Sequence, residues 1–345
     1  MVKLAMVMIA RNEQNNIIRA LESVRPFVDD MIVLDTGSTD QTALCASHAG
    51  ARVFDFRWCD DFSIARNAAL DHSNAEWNFV LDADEYIVQG GHLLKNLLAS
   101  SCDFVGAIAI DSAYGSSSEK QQVRNWLTRI LPGHIRYTGR VHEQPDHCLP
   151  IIQLPVHCGH DGYLTEIRTH KKGRNENLLS LEIDQNLDDP YLHYQMGKEK
   201  EVNKDFIQAL NFYKKSLDFL DTKFSDWHRD LILRTLFCMK MTKNFEPALK
   251  LAFQWKDVLD DLPDYHFVLG DLYLDMALAA PEQADTILPL IEGHWLRCLE
   301  IGEKPEIDGC VMGRGSILAE HNLHAFYSSL GLHDQAALYK ELTCS

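Results

Sequence analysis

From the first residues to about position 100, short apolar runs alternate with segments of helical period. This rhythm predicts βαβ units and a mostly parallel sheet. Strands are expected at Leu4–Ile9, Met31–Leu34, Arg52–Phe56 and Trp77–Leu81, with helices near Asn15–Val24, Gln41–His48 and Asp61–Asp71 between them. Ser38-Thr39-Asp40 and Asp60-Asp61 stand where the second and third helices begin, and their oxygens suit the unpaired amides of a first turn. The small-residue stretch Ser112–Ser118 reads as a loop within the same domain. Beyond about Asp188 the strand pattern stops and amphipathic helices with short breaks take over.

That second part carries a degenerate repeat. Gly197, Ala209, Tyr213 and Ser216 fall on positions of a tetratricopeptide pattern, where small residues let two helices of a hairpin cross closely. Asn244–Ala248 and Leu332–Ala336 echo Asp205–Ala209, and Leu269-Gly270 echoes Met196-Gly197. The chain thus divides into an α/β, Rossmann-like domain over residues 1–175 and an all-α, tetratricopeptide-like domain over 188–345. Stacked hairpins present a concave surface to a peptide or partner; an irregular helical bundle is the plainer alternative.

Composition narrows the function classes. With 345 residues, 46% of them hydrophobic, two ordinary cores can form. The apolar start breaks at Arg11-Asn12-Glu13 and no later apolar run reaches a membrane span of roughly 18 residues, so a soluble, cytoplasmic protein is expected. Nine cysteines without a CxxC pair fit a reducing compartment. A formal charge of −17 disfavours nucleic acid and anionic lipid, and the short basic cluster His170–Arg174 reads as a solvated face. Oligomeric state stays open, a homo-oligomer included.

Chemistry concentrates after the apolar runs. Asp82-Ala83-Asp84-Glu85 follows Trp77–Leu81, and a strand end is where open α/β sheets bind ligands. Two carboxylates one residue apart there suit a hard divalent cation, magnesium or manganese, facing a diphosphate. Ala10-Arg11-Asn12-Glu13 and Asp35-Thr36-Gly37-Ser38-Thr39-Asp40 interrupt the first two strands at corresponding places. Asp35 can accept from a base or ribose, and Gly37 lets a ligand near the backbone. Neither a dinucleotide fingerprint nor a Walker loop is present.

These motifs, with Asp61-Phe62-Ser63-Ile64-Ala65-Arg66-Asn67, together resemble the family 2 glycosyltransferases, inverting enzymes of the GT-A fold. Gly139-Arg140-Val141-His142-Glu143, His160-Asp161-Gly162-Tyr163 and the helical repeats are similar to the subgroup with tetratricopeptide tails, which includes the sublancin-type peptide S-glycosyltransferases of glycocin biosynthesis. The motif likeness covers about residues 3–175. It implies a UDP-sugar donor, with Ala10, Asn12, Glu13, Asp35 and Ser38 on the nucleoside, Arg66 near the diphosphate, and Asp82 and Asp84 around the metal. His160 resembles the histidine that completes the metal shell in such enzymes.

Glu143 is the candidate general base, since an inverting transfer needs a carboxylate to take the acceptor proton; its plain reading is a partner for Arg140 or His142. His157, Cys158 and His160 raise zinc, but no fourth ligand stands at plausible spacing. The expected activity is hexose transfer to a peptide Cys, Ser or Thr side chain. Lipopolysaccharide core or another saccharide is the alternative acceptor, a non-catalytic repeat adaptor the alternative from a different class, and a nucleotidyltransferase lacks its Gly-rich activating loop.

Overall fold

The computed structural model describes residues 3–97, 99, 102–114, 121–160, 173–220 and 224–339. The chain divides into two compact units, Met1–Ser116 with Arg124–Leu179, and Ser117–Val123 with Ser180–Ser345.

The first unit begins with the expected alternation: β1 (Leu4–Ala10), α1 (Ile17–Val24), β2 (Asp30–Asp35), α2 (Thr42–His48), β3 (Arg52–Asp55), α3 (Phe62–Leu70) and β4 (Trp77–Val80). It continues with β5 (Glu85–Gln89), α4 (Leu94–Leu97), β6 (Val105–Tyr114), β7 (Gln121–Pro132), β8 (Arg136–Thr138), β9 (Gln144–Asp146) and β10 (Ile151–His160). The main sheet runs β3-β2-β1-β4-β7-β6-β10-β5. β1 is parallel to β2 and β4, β2 to β3 and β6 to β10, whereas β7 and β5 join antiparallel to β4 and β10. Strand alternation splits the core into two layers. Met6 and Met8 pack with Ile17, Leu21 and Ala46 of α1 and α2, while Ala5 and Val7 pack with Ala69 and Leu70 of α3. Asp61 caps α3, its carboxylate accepting from Ile64 N at 3.0 Å. Asp40 accepts from Thr42 N at 3.0 Å, at the entry of α2. The carboxyl ends of β1, β2, β3 and β4 all fall on one edge, which fixes where a ligand binds.

The loop expectation at Ser112–Ser118 is corrected in part. Ser112 lies in β6, with its backbone opposite His160 of β10; strand pairing overrides the low strand propensity of a small polar residue. Gly115–Ser118, His170–Lys172 and Asp161–Tyr163 lie outside the described residues.

α5 (Arg174–Gln185) runs across the division in sequence. The second unit is built from α6 (Pro190–Val202), α7 (Phe206–Asp218), α8 (Asp226–Met241), α9 (Phe245–Gln254), α10 (Lys256–Leu259), α11 (Pro263–Ala279), α12 (Ala284–Ile301), a short β11 (Cys310–Met312), α13 (Ile317–Ser329) and α14 (His333–Ala336). The repeat is structural. A Cβ on Gly197 of α6 would lie 2.3 Å from Tyr213 Cε1 of α7, and one on Gly270 of α11 would lie 2.4 Å from Trp295 Nε1 of α12, so both crossings exclude a side chain. α6, α8 and α13 end alike. Lys204, Lys243 and Gly331 take left-handed φ values of 60°, 58° and 73°. The next amide reaches back in each, Asp205 N to Lys200 O at 3.0 Å, Asn244 N to Met239 O at 2.8 Å and Leu332 N to Tyr327 O at 2.9 Å. That is the Schellman turn, which satisfies carbonyls at a helix end. Among the described residues, no helix is long and apolar enough to cross a membrane.

Candidate active site

The loops after β1 and β2 are stitched together. Asn12, at a φ of 56°, receives Thr39 N on its side-chain oxygen at 2.8 Å, and its own amide donates to Ser38 Oγ at 2.9 Å. A non-glycine residue holds the left-handed region only where surrounding bonds over-determine it. Glu13 N donates to Thr42 Oγ1 at 2.7 Å, and the Glu13 carbonyl receives Ile17 N at 2.9 Å, at the entry of α1. Asp35 Oδ1 accepts from Gly37 N at 2.9 Å and Ser38 N at 2.7 Å. Asp35, Gly37, Ser38 and Asp40 line a cleft of about 350 Å³ together with Asp55, Phe56 and Arg57 from the end of β3. That volume is within the range of small-molecule sites. Of the expected nucleoside residues, Asp35 and Ser38 line this cleft. Ala10, Asn12 and Glu13 are not among its lining residues: Asn12 and Glu13 brace the loops, and the Ala10 carbonyl receives Thr36 N at 2.9 Å.

Beyond β4 the carboxylates meet two buried arginines. Arg66 of α3 is 8% exposed, and its Nη2 donates to Asp82 Oδ1 at 2.8 Å while its Nε donates to Glu143. Arg129 of β7 donates to Asp82 Oδ2 and to Glu85 Oε1, each at 2.6 Å. Glu85 Oε2 also receives Asp82 N at 3.0 Å. Both oxygens of Asp82 therefore face guanidinium groups. Burial works against the charge of Asp82, yet Arg129 and Arg66 hold its carboxyl well below the ordinary range. Burial likewise opposes the charge on Arg66, and Asp82 and Glu143 outweigh it, keeping the guanidinium charged. Burial pushes Glu85 up despite Arg129. Tyr137 of β8 lies under Arg66, whose guanidinium carbon is 5.5 Å from the ring centroid; burial pushes its hydroxyl up to about 12. Among the described residues, no protein partner reaches Arg66 Nη1, Arg129 Nε or the Tyr137 hydroxyl. Buried polar atoms are seldom left so, and a ligand is one reason.

Asp84 faces a histidine. Its Oδ2 is 3.5 Å from His160 Nε2, and His160 Nδ1 is 3.0 Å from Ser112 Oγ. Burial would lower the His160 pKa, but the bond to Asp84 and the surrounding carboxylates raise it.

Residues 6–149, spanning both clusters, match the model for glycosyl transferase family 2. This part of the chain is a family 2 glycosyltransferase domain. A TPR repeat-containing protein of Synechococcus elongatus is 36% identical over 155 residues, 44% of this chain and 38% of that protein. The SPbeta prophage-derived glycosyltransferase SunS of Bacillus subtilis is 27% identical over 240 residues, 67% of this chain and 56% of that protein. An uncharacterized glycosyltransferase of Rickettsia felis is 35% identical over 88 residues, 25% of this chain and 30% of that protein. The chain thus spans 38% and 56% of the length of the first two curated relatives.

In the family 2 domain the metal expectation divides. Asp84 and His160 are close enough to share an ion, and magnesium and manganese sites commonly draw their remaining ligands from substrate phosphates and water. Asp82 would have to share with an ion two oxygens that each already accept from an arginine. Among the described residues no group of three His, Cys, Asp or Glu side chains converges for a metal. The zinc alternative loses Cys158, which packs fully buried in the apolar core with its thiol pushed up by burial. Glu143 pairs with Arg66 rather than with Arg140 or His142. Several contributors were not singled out from sequence. Asp55, Phe56 and Arg57 obey the same strand-end rule that picked out Asp35. Arg129 carries a subtler signal, a charge directly before the apolar Ile130-Leu131 of a strand.

Proposed function

We propose that this protein is an inverting glycosyltransferase that moves a hexose from a UDP-sugar to a peptide Cys, Ser or Thr side chain. The observation that carries the reading is the gathering of Arg66, Asp82, Asp84, Glu143 and His160 at the ligand edge of a family 2 domain. The nucleoside lies in the cleft at Asp35 and Ser38, walled by the loop that Asn12 and Glu13 brace. Asp84 and His160 would hold magnesium or manganese, whose charge offsets that of the leaving diphosphate. Arg66 binds the diphosphate, and Asp82, between two arginines, aims it. Glu143 takes the acceptor proton while the nucleophile attacks the anomeric carbon from the face opposite the leaving group.

In this division of labour residues 1–175 handle the donor and residues 188–345 select the acceptor. Hairpin repeats suit an extended chain, which favours a peptide over a saccharide. The test incubates the protein with manganese and a panel of UDP- and GDP-sugars, and follows donor hydrolysis and hexose addition to peptides by mass spectrometry. Chelator-sensitive addition to a thiol or hydroxyl is expected. No turnover of any donor overturns the reading, and transfer confined to saccharides overturns its acceptor half.

A further inference from the structure

We infer that Arg66 is a positioning residue that withholds the base until the donor arrives: the diphosphate draws its guanidinium away from Glu143, and the freed carboxylate then takes the acceptor proton. This rests on the reading above and adds an order of events to it.

Four observations carry the inference. First, Arg66 Nε donates to Glu143 Oε1, and both side chains are 9% exposed, so this oxygen is committed inside the protein and is not presented to an acceptor. Second, Arg66 holds donor capacity in reserve. Its buried Nη1 meets no protein partner among the described residues, and neither does the hydroxyl of Tyr137 beneath it. A guanidinium fork matches two phosphate oxygens in one plane, and a doubly charged diphosphate competes well against one carboxylate. Third, the exchange leaves Asp82 provided for. Arg129 holds Asp82 Oδ2 at 2.6 Å and Glu85 at the same distance, so Asp82 keeps a cation when Arg66 turns. Fourth, Arg66 is the cation that the described residues supply to Glu143. Its departure therefore exposes a carboxylate next to the place where the diphosphate has just bound. Without donor, the same carboxylate is held by Arg66 through Oε1.

The inference makes a counter-intuitive demand, because removing the base should improve donor binding. Without Glu143 the buried Arg66 keeps only Asp82, which it shares with Arg129, and a ligand that restores the lost counter-charge recovers part of the cost. The probe is UDP with manganese, titrated calorimetrically into the full chain. Glu143→Gln should bind UDP about fivefold more tightly or better, the lower end of ordinary coupling between two ligands of one group, while transfer falls. Glu143→Asp, which shortens the arm and keeps the charge, should give a smaller gain and serves if the glutamine variant loses its melting transition. In an Arg66→Gln background, which lacks the cation, the gain should vanish. Unchanged or weaker UDP binding in folded Glu143→Gln and Glu143→Asp overturns the inference, as does a gain that persists in Arg66→Gln. Failure of the unsubstituted protein to bind UDP or any UDP-sugar instead sinks the donor reading itself.

Discussion

Gly197→Ala adds one methyl group where α6 crosses α7, and the structure sets its cost. The new Cβ would stand 2.3 Å from Tyr213 Cε1 and 2.4 Å from Cδ1, against roughly 3.5–4.0 Å for carbon atoms in ordinary contact. The overlap exceeds about 1 Å with two atoms of a ring that is fully buried. Tyr213 cannot swing aside cheaply, because its hydroxyl donates to Glu201 at 2.6 Å. Overpacking of this kind costs about 1–3 kcal/mol, and the better helix propensity of alanine returns up to about 1 kcal/mol. A net loss of about 1–2 kcal/mol lowers the melting temperature of a unit this size by roughly 2–8 °C. Gly293→Ala is the control, since Gly293 is an exposed position within α12 and a Cβ there meets nothing within 4 Å; it should gain up to about 1 kcal/mol. Melting followed by circular dichroism compares the two. If Gly197→Ala matches Gly293→Ala in sign, the close crossing is wrong.

Asp84→Asn should abolish manganese-dependent transfer with the fold intact by circular dichroism; full activity of that variant in excess chelator refutes the metal assignment. With a hydroxyl acceptor, Glu143→Gln should lower turnover by about 10²-fold or more, and near-native turnover would send the search to another carboxylate. Arg129→Met strands Glu85 as a buried acid and leaves Asp82 to Arg66 alone, at a cost of about 3–5 kcal/mol read by urea denaturation, and a loss below about 1 kcal/mol contradicts the buried network. His294, 3.0 Å from His266 between ring nitrogens, is pushed down to about 4 by burial and by His266, from an ordinary 6.5. It is neutral in the fold and charges on unfolding, so stability is full above pH 6.5 and falls as the pH drops toward 4, by up to about 3 kcal/mol; urea midpoints that stay flat between pH 7.5 and 4.5 exclude this.

β1 and β2 were readable because each is an apolar run that stops at a polar residue within one residue of its true end, as Met31–Leu34 stops at Asp35. β5 to β10 carry mixed signals. β7 breaks its apolar residues with Arg124-Asn125 and Thr128-Arg129, and its place beside β4 depends on antiparallel pairing of Phe79 with Ile130, distant in sequence. The same pairing explains why Arg129 was invisible as a site residue while Asp82 was not. Local grammar marks where a strand ends; it does not say which distant side chain arrives there. Gly197 and Gly270 were legible for the opposite reason, since consecutive helices cross within one hairpin and the small residue is a local requirement.

The recurring left-handed turn at Lys204, Lys243 and Gly331 joins α6 to α7, α8 to α9 and α13 to α14 on the same hinge geometry, whatever side chains decorate the helices. A duplicated hairpin of this kind carries its own turn with it. The length of the helical unit becomes a quantity that can drift by whole modules while the sheet edge stays untouched, as with a ruler lengthened by adding segments. Two of the three hinges use lysine where glycine would be more at ease, so each retains a single-residue substitution, Lys204→Gly or Lys243→Gly, by which a lengthened array could recover stability.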